Sequence, residues 1–358
     1  MKRPLVRDDL KSMEGYHSPQ VEVDIRLNTN EAPFPPPEEF ETVFLQEVKK
    51  VDWNRYPDRL AWSLREDLAE LHQVEPEQIF VANGSNEVLQ TICLTFGGHQ
   101  RTALTFEPTY AMYGQIARIA QCRVAETQRD ETFQIRLEAL ERAIEVEKPD
   151  LMFLCSPNNP TGTPESLDVI EASLGLSSGV VVVDEAYGQF ADFTALDLLD
   201  ERDPSESLIV TRTFSKTWSM AGVRLGYCVA PPWMFEEFQK VVLPYHLDSV
   251  KQIAGRVALR FQDQMEQRVA QISSERNRVS EAMTQFGVQV WPSQANFILF
   301  GTAPCDLSGE EVWKRLLERS VLVRNCSGWP GLTDCLRVTL GTEQENTIFL
   351  EALQEALQ

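Results

Sequence analysis

Five short apolar runs in this chain each end in a polar cluster, and that repeated junction restricts the fold more than any other feature. IFVA (Ile79–Ala82) leads into NGSNE, TALTF (Thr102–Phe106) into EPTY, and LMFLC (Leu151–Cys155) into SPNNPTG. VVVV (Val180–Val183) leads into DEAY, and LIV (Leu208–Val210) into TRTFSK. Parallel strands buried on both faces read as continuous apolar stretches, and in open α/β sheets the ligand lies beyond their carboxyl ends. Helical text separates the runs at Leu60–His72, Glu87–Phe96 and Tyr110–Ala120. The pattern predicts an α/β fold with a mostly parallel central sheet, to which Leu225–Ala230 adds a further run. An ordinary loop explains any one cluster. Five on one rim predict a site.

After about Pro231 the alternation changes. Val250–Phe286 reads as long helix, followed by a strand at Ala295–Phe300, a helix at Ser308–Arg319, the strands VLVRN and CLRVTLGT, and a helix after Glu343. This is the text of a smaller α+β domain. Pro33–Pro37 (PFPPP) reads as an extended connector behind an N-terminal arm. The expected partition is an arm over residues 1–40 that joins the small domain, a large α/β domain over 41–240, and a small domain over 241–358. With 43% apolar residues in 358, both cores can be filled.

Lys and Arg number 33 against 54 Asp and Glu, a formal charge of −21. Nucleic acid needs a basic surface, so it is excluded as a partner. An anionic small substrate is not, provided a few arginines converge. The seven cysteines are scattered with no C-x-x-C pair, so neither a metal site nor a disulfide framework is expected, and reduced thiols of a cytoplasmic protein are. The N-terminus has no apolar leader and no run approaches membrane-spanning length. A soluble protein with no membrane partner is expected.

Three of the strand ends carry chemistry. NGSNE (Asn83–Glu87) joins a strand to a helix: Gly84 permits the turn, and Ser85 and Asn86 stand at a helix N-terminus, where free amides suit a phosphate. Simple N-capping by Ser85 is the bland reading. Asp184 ends a buried strand and needs a cationic or hydrogen-bonding partner, either a structural arginine or a protonated ring nitrogen, and Tyr187 lies three residues on. Lys216 follows Thr213 and Ser215, with Arg224 in AGVRLGY beyond. Most lysines are solvated surface residues. Here hydroxyls and a guanidinium suit a phosphate, and a lysine beside them suits a carbonyl with which it condenses. No Rossmann glycine pattern, P-loop, H-E-x-x-H or G-x-S-x-G occurs. A lysine Schiff base, an acid for a pyridinium nitrogen and a phosphate cup together describe pyridoxal 5'-phosphate.

The chain resembles the fold-type I, class I and II aminotransferases, and within them the histidinol-phosphate branch, nearly end to end. The resemblance rests on LNTNEAPFPP (Leu27–Pro36), NRYPD (Asn54–Asp58), NGSNE, FEPTYAMY (Phe106–Tyr113) and SPNNPTG (Ser156–Gly162). DEAY, TRTFSKTWSMAGVRLGY, PYHLDSVKQIA (Pro244–Ala254) and VLVRNCSGWPGLTDCLRVTLGT (Val321–Thr342) continue it. It implies that Lys216 forms the Schiff base and acts as general acid and base. Asp184 would pair with the pyridine nitrogen, Asn158 and Tyr187 would bind the ring's 3-hydroxyl, and Tyr110 would stack on the ring. Gly84, Ser85, Asn86, Thr213, Ser215 and Arg224 would hold the cofactor phosphate. Tyr56 would reach it from the neighbouring subunit, which implies a homodimer. Arg324 and Arg337 would hold the substrate's anionic group, with Asn158 beside them and Tyr16 of the arm closing over it.

The implied reaction is a ping-pong transamination between L-histidinol phosphate and 2-oxoglutarate, with glutamate as the other amino compound, in histidine biosynthesis. An aminotransferase for aromatic amino acids and a phosphothreonine decarboxylase of the same superfamily are the alternatives. A catalytically silent α/β binding protein would keep the scaffold alone. Trp218 and Trp329 depart from the family pattern and bear on substrate preference.

Overall fold

The computed structural model describes residues 4–11, 13, 15, 21–199 and 207–358. In chain order its strands are β1 (Ile25–Leu27), β2 (Ile79–Ala82), β3 (Thr102–Glu107), β4 (Arg123–Gln128), β5 (Leu151–Cys155) and β6 (Val180–Asp184). They continue with β7 (Leu208–Thr213), β8 (Gly226–Val229), β9 (Gln289–Val290), β10 (Phe297–Gly301), β11 (Val321–Asn325) and β12 (Cys335–Thr339). One seven-stranded sheet has the order β2-β8-β7-β6-β5-β3-β4. Only β8 runs against its neighbours, so the five strands with polar ends all point the same way.

Alternation along these strands sorts their side chains. Val180 and Val182 enter one apolar cluster and Val181 and Val183 the other, on the opposite face. Each valine is buried, and burial of such a side chain contributes about 2 kcal/mol. The same period puts Asp184, Thr211 and Thr213 on the first face, with Ile209. Strand pleating therefore aims the acid and the two hydroxyls the same way. Edge strand β4 (RVAETQ) escaped the sequence reading, because only Ala125 in it is buried and no apolar run marks it.

A second sheet has the order β1-β11-β12-β10-β9. In it β1 pairs parallel with β11, so the segment before the proline run adds an edge strand to the C-terminal sheet. The long helical text divides into Ser249–Leu259 and Gln262–Gln285. Phe261 departs from helical geometry at the break and sets its ring edge-on against Phe40 at 6.3 Å. Neither glycine nor proline stands there to signal it. Among the described residues no helix is long and apolar enough to cross a membrane.

Candidate active site

A cleft of about 710 Å³ opens where the strand ends of the large sheet meet the second sheet. At one end the helix Ser85–Phe96 presents its N-terminus. Its N-cap is Gly84, at φ +85°, so Ser85 is already helical and does not cap. No side chain caps this helix, which leaves first-turn amides available to an anion. A Cβ on Gly84 would stand 2.8 Å from the Arg224 guanidinium. Arg224, held at φ +60°, donates to Ser215 Oγ at 3.4 Å, and Thr213 Oγ1 accepts the Ser215 amide at 3.1 Å. Amides, hydroxyls and a guanidinium thus converge from two separate segments.

Asp184 lies deeper. Its carboxylate accepts the Tyr113 hydroxyl at 2.7 Å, the Thr211 hydroxyl at 2.8 Å and the Ala186 amide at 3.1 Å. Burial raises its pKa, and the hydrogen bonds from Tyr113 and Thr211 oppose the rise. Among the described residues no arginine is one of its hydrogen-bond partners; the nearby Arg212 bonds the next residue, Glu185. Asp184 is therefore a buried acid held by neutral donors, and a cation facing it would favour its charged form.

Lys216 lines the cleft between these groups, and its ammonium donates to the carbonyls of Thr29 and Asn30 at 3.2 and 2.8 Å. Burial lowers its pKa to about 7, with Arg337 and Arg224 adding to the effect and Glu31 opposing it. A neutral amine, the nucleophilic form, is thus accessible near neutral pH. Tyr187 and Tyr110 also line the cleft, and Tyr110 donates to Asn86 Oδ1 at 3.1 Å. Arg324 and Arg337 line the same cleft. Arg337 donates to Asn159 Oδ1 and to the Asn28 carbonyl.

One residue expected in this cleft stands elsewhere. Asn158 is wholly buried outside the cleft: its Oδ1 accepts from Thr109, and its Nδ2 donates to the Pro108 carbonyl and to Thr161. Its neighbour Asn159 lines the cleft instead. The two asparagines of SPNNPTG are equivalent in the sequence; only the loop's path separates them. Tyr56 is 80% exposed and stacks on Tyr245 at 4.4 Å, away from the cleft. Tyr16 lies outside the described residues.

The model of the aminotransferase class I and II family matches residues 22–353. The chain belongs to the class I and II aminotransferases. Histidinol-phosphate aminotransferase of Thermobifida fusca is 42% identical over 98% of this chain and 95% of its own length. That of Corynebacterium diphtheriae is 39% identical over 99% of this chain and 96% of its own. The crystal structure of the Sinorhizobium meliloti enzyme, in complex with pyridoxal-5'-phosphate, shares the fold with a TM-score of 0.89 at 22% identity. It covers 98% of this chain and 97% of that one. Pyridoxal phosphate is the cofactor of these aminotransferases. The cleft of this one fits it: an anion cradle at one end, a buried acid calling for a cation, and a lysine between them. Tyr113 is a further site residue that the motif FEPTYAMY contains without marking, because its link to Asp184 spans 71 positions of sequence.

Proposed function

We propose that this aminotransferase moves the amino group of L-histidinol phosphate to 2-oxoglutarate, as a step of histidine biosynthesis. The observation that carries the reading is the arginine pair, Arg324 and Arg337, which lines the same cleft as the phosphate cradle and Lys216. The names of the curated relatives at 39 and 42% identity support it. Planar guanidinium forks accept a phosphate or a carboxylate, so one pair serves both the phosphorylated donor and glutamate.

Bound pyridoxal phosphate supplies an electron sink for a carbanion at the substrate's Cα. The chain's own residues do the rest. Gly84, Ser85, Asn86, Thr213, Ser215 and Arg224 are assigned to the cofactor phosphate, and Asp184 to its ring nitrogen. Tyr110 is assigned to the ring face. Tyr187 and Asn159, in place of Asn158, are assigned to the ring hydroxyl. Lys216 carries the proton to and from Cα, for which a pKa of about 7 suits a general base.

We assign the working form to a cytoplasmic homodimer. Trp53, Tyr56, Leu243 and Tyr245 are exposed apolar side chains, the kind of surface a second copy covers, and this reading sends Tyr56 into the partner's cleft. The mostly buried free thiols fit a reducing compartment. The arm over 1–40, the large domain over 41–240 and the small domain over 241–358 remain our partition.

A half-reaction followed by absorbance tests the substrate. Histidinol phosphate is expected to bleach the visible band of the lysine-bound cofactor far below the concentration of phenylalanine needed, and 2-oxoglutarate to restore it. Preference for phenylalanine would move the assignment to an aromatic aminotransferase. Release of carbon dioxide without need of a keto acid would move it to a decarboxylase.

A further inference from the structure

The family role assigned to Tyr187 leaves open what directs its hydroxyl proton. The answer lies in LNTNE, a stretch that none of the assigned roles uses. Asn30, Thr339 and Tyr187 are all buried, and Asn30 stands at φ +54°. Thr339 Oγ1 accepts the Asn30 backbone amide at 2.9 Å and donates to Asn30 Oδ1 at 3.1 Å. This fixes the side-chain amide with its nitrogen outward, where Nδ2 donates to the Tyr187 hydroxyl at 2.9 Å. A reversed amide would give up the hydrogen bond that the Thr339 hydroxyl donates to Asn30 Oδ1. The Tyr187 oxygen is therefore an acceptor towards Asn30, and its own proton points away from Asn30.

We propose that Asn30 is a positioning residue, which acts through Tyr187 by turning that hydroxyl's proton into the cleft. This rests on the cofactor reading above, in which Tyr187 donates to the ring's phenolic oxygen. Thr339 and Arg337 share one face of β12, and the 28–31 loop lies against both, since Asn28 accepts from Arg337 and Asn30 from Thr339. The same loop holds the Lys216 ammonium. The charged and titratable groups facing Lys216 include Arg337, Glu31, Arg224 and Tyr187, over whose ring the ammonium lies at 5.6 Å, and those facing Tyr187 include Lys216, Arg337, Cys155 and Tyr110.

A hydroxyl that donates to the ring oxygen stabilises its negative charge once the lysine linkage has lost its proton. Loss of that donor raises the midpoint at which the visible band titrates. The test is a pH titration of absorbance on the pyridoxal phosphate-loaded wild type, Asn30→Ala, Thr339→Val, Tyr187→Phe and the Asn30→Ala, Tyr187→Phe double variant. Tyr187→Phe is expected to raise the midpoint by roughly 1–2 pH units. Asn30→Ala and Thr339→Val are expected to raise it by less, and the double variant to match Tyr187→Phe alone. An Asn30→Ala shift that persists in full without the Tyr187 hydroxyl overturns the proposal. So does a wild-type midpoint in Thr339→Val, a near-isosteric change that keeps the loop sequence. A wild type with no visible band sinks the cofactor reading itself, a distinguishable result.

Discussion

Arg324 and Arg337 stand directly opposite each other on β11 and β12, as register partners in an antiparallel pair. Like charges so placed repel. Each is buttressed by an aromatic face, Trp329 at 5.5 Å from Arg324 and Phe297 at 5.2 Å from Arg337. The aromatic quadrupole favours a cation over the ring, and an anion between the two guanidinium groups relieves the repulsion. This pairing is why we propose the two arginines as the anion site of the cleft.

Replacing Arg337 by lysine retains charge but loses the planar fork that meets Asn159 and the Asn28 carbonyl. Steady-state kinetics are expected to show KM for histidinol phosphate and for glutamate raised roughly 10- to 100-fold, the range of one or two charge-assisted hydrogen bonds, with a smaller change in kcat. A drop confined to kcat would place Arg337 elsewhere in the mechanism.

Lys216 imposes a pH-dependent penalty on the cofactor-free fold. Its folded pKa of about 7 lies below the unfolded value of roughly 10.4. Between the two, the unfolded chain holds a proton that the folded chain has released, so stability rises with pH through that window. Below about 7 both states are protonated and the folded state bears the full penalty. Lys216→Met is therefore expected to raise the melting temperature of the cofactor-free protein at pH 7, with the gain shrinking towards pH ~10. A gain that does not depend on pH would refute this account. The same variant is expected to lack turnover.

Asp184→Asn should leave the fold intact, because an amide of the same shape can still meet Tyr113 and Thr211. It cannot supply the negative charge. We expect kcat to fall by about 10²–10⁴-fold with an unchanged melting temperature. Near-wild-type turnover would remove Asp184 from its assigned role.

Glu185, next in sequence, has a different task. It pairs with Arg212, the side chains being 2% and 7% exposed, and accepts the Thr194 hydroxyl and the Ala195 amide. Glu185→Gln is expected to destabilise by about 3–5 kcal/mol, since it leaves Arg212 as an uncompensated buried charge. Denaturant unfolding checks the magnitude, and KM of the folded fraction should hold within a few-fold. A neutral effect on stability would show that Arg212 finds another partner.

Sequence alone determined the sheet and the order of its polar rims. Each apolar run followed by a polar cluster is a local pattern, and period-2 alternation carries it directly into the placement of Asp184, Thr211 and Thr213. The fold class and the cofactor followed from those strand ends. β4 was invisible because an edge strand needs few apolar residues. The break at Arg260–Phe261 was invisible because a distant ring, Phe40, accompanies it rather than a local breaker. Tertiary structure alone chose Asn159 over Asn158, since both have identical chemistry and only the loop's path separates burial from the cleft. It also set Tyr113 against Asp184, Asn30 against Tyr187 and Arg324 opposite Arg337. Those contacts join residues 71, 157 and 13 positions apart. Packing and strand register fix them, and no local residue pattern carries that information.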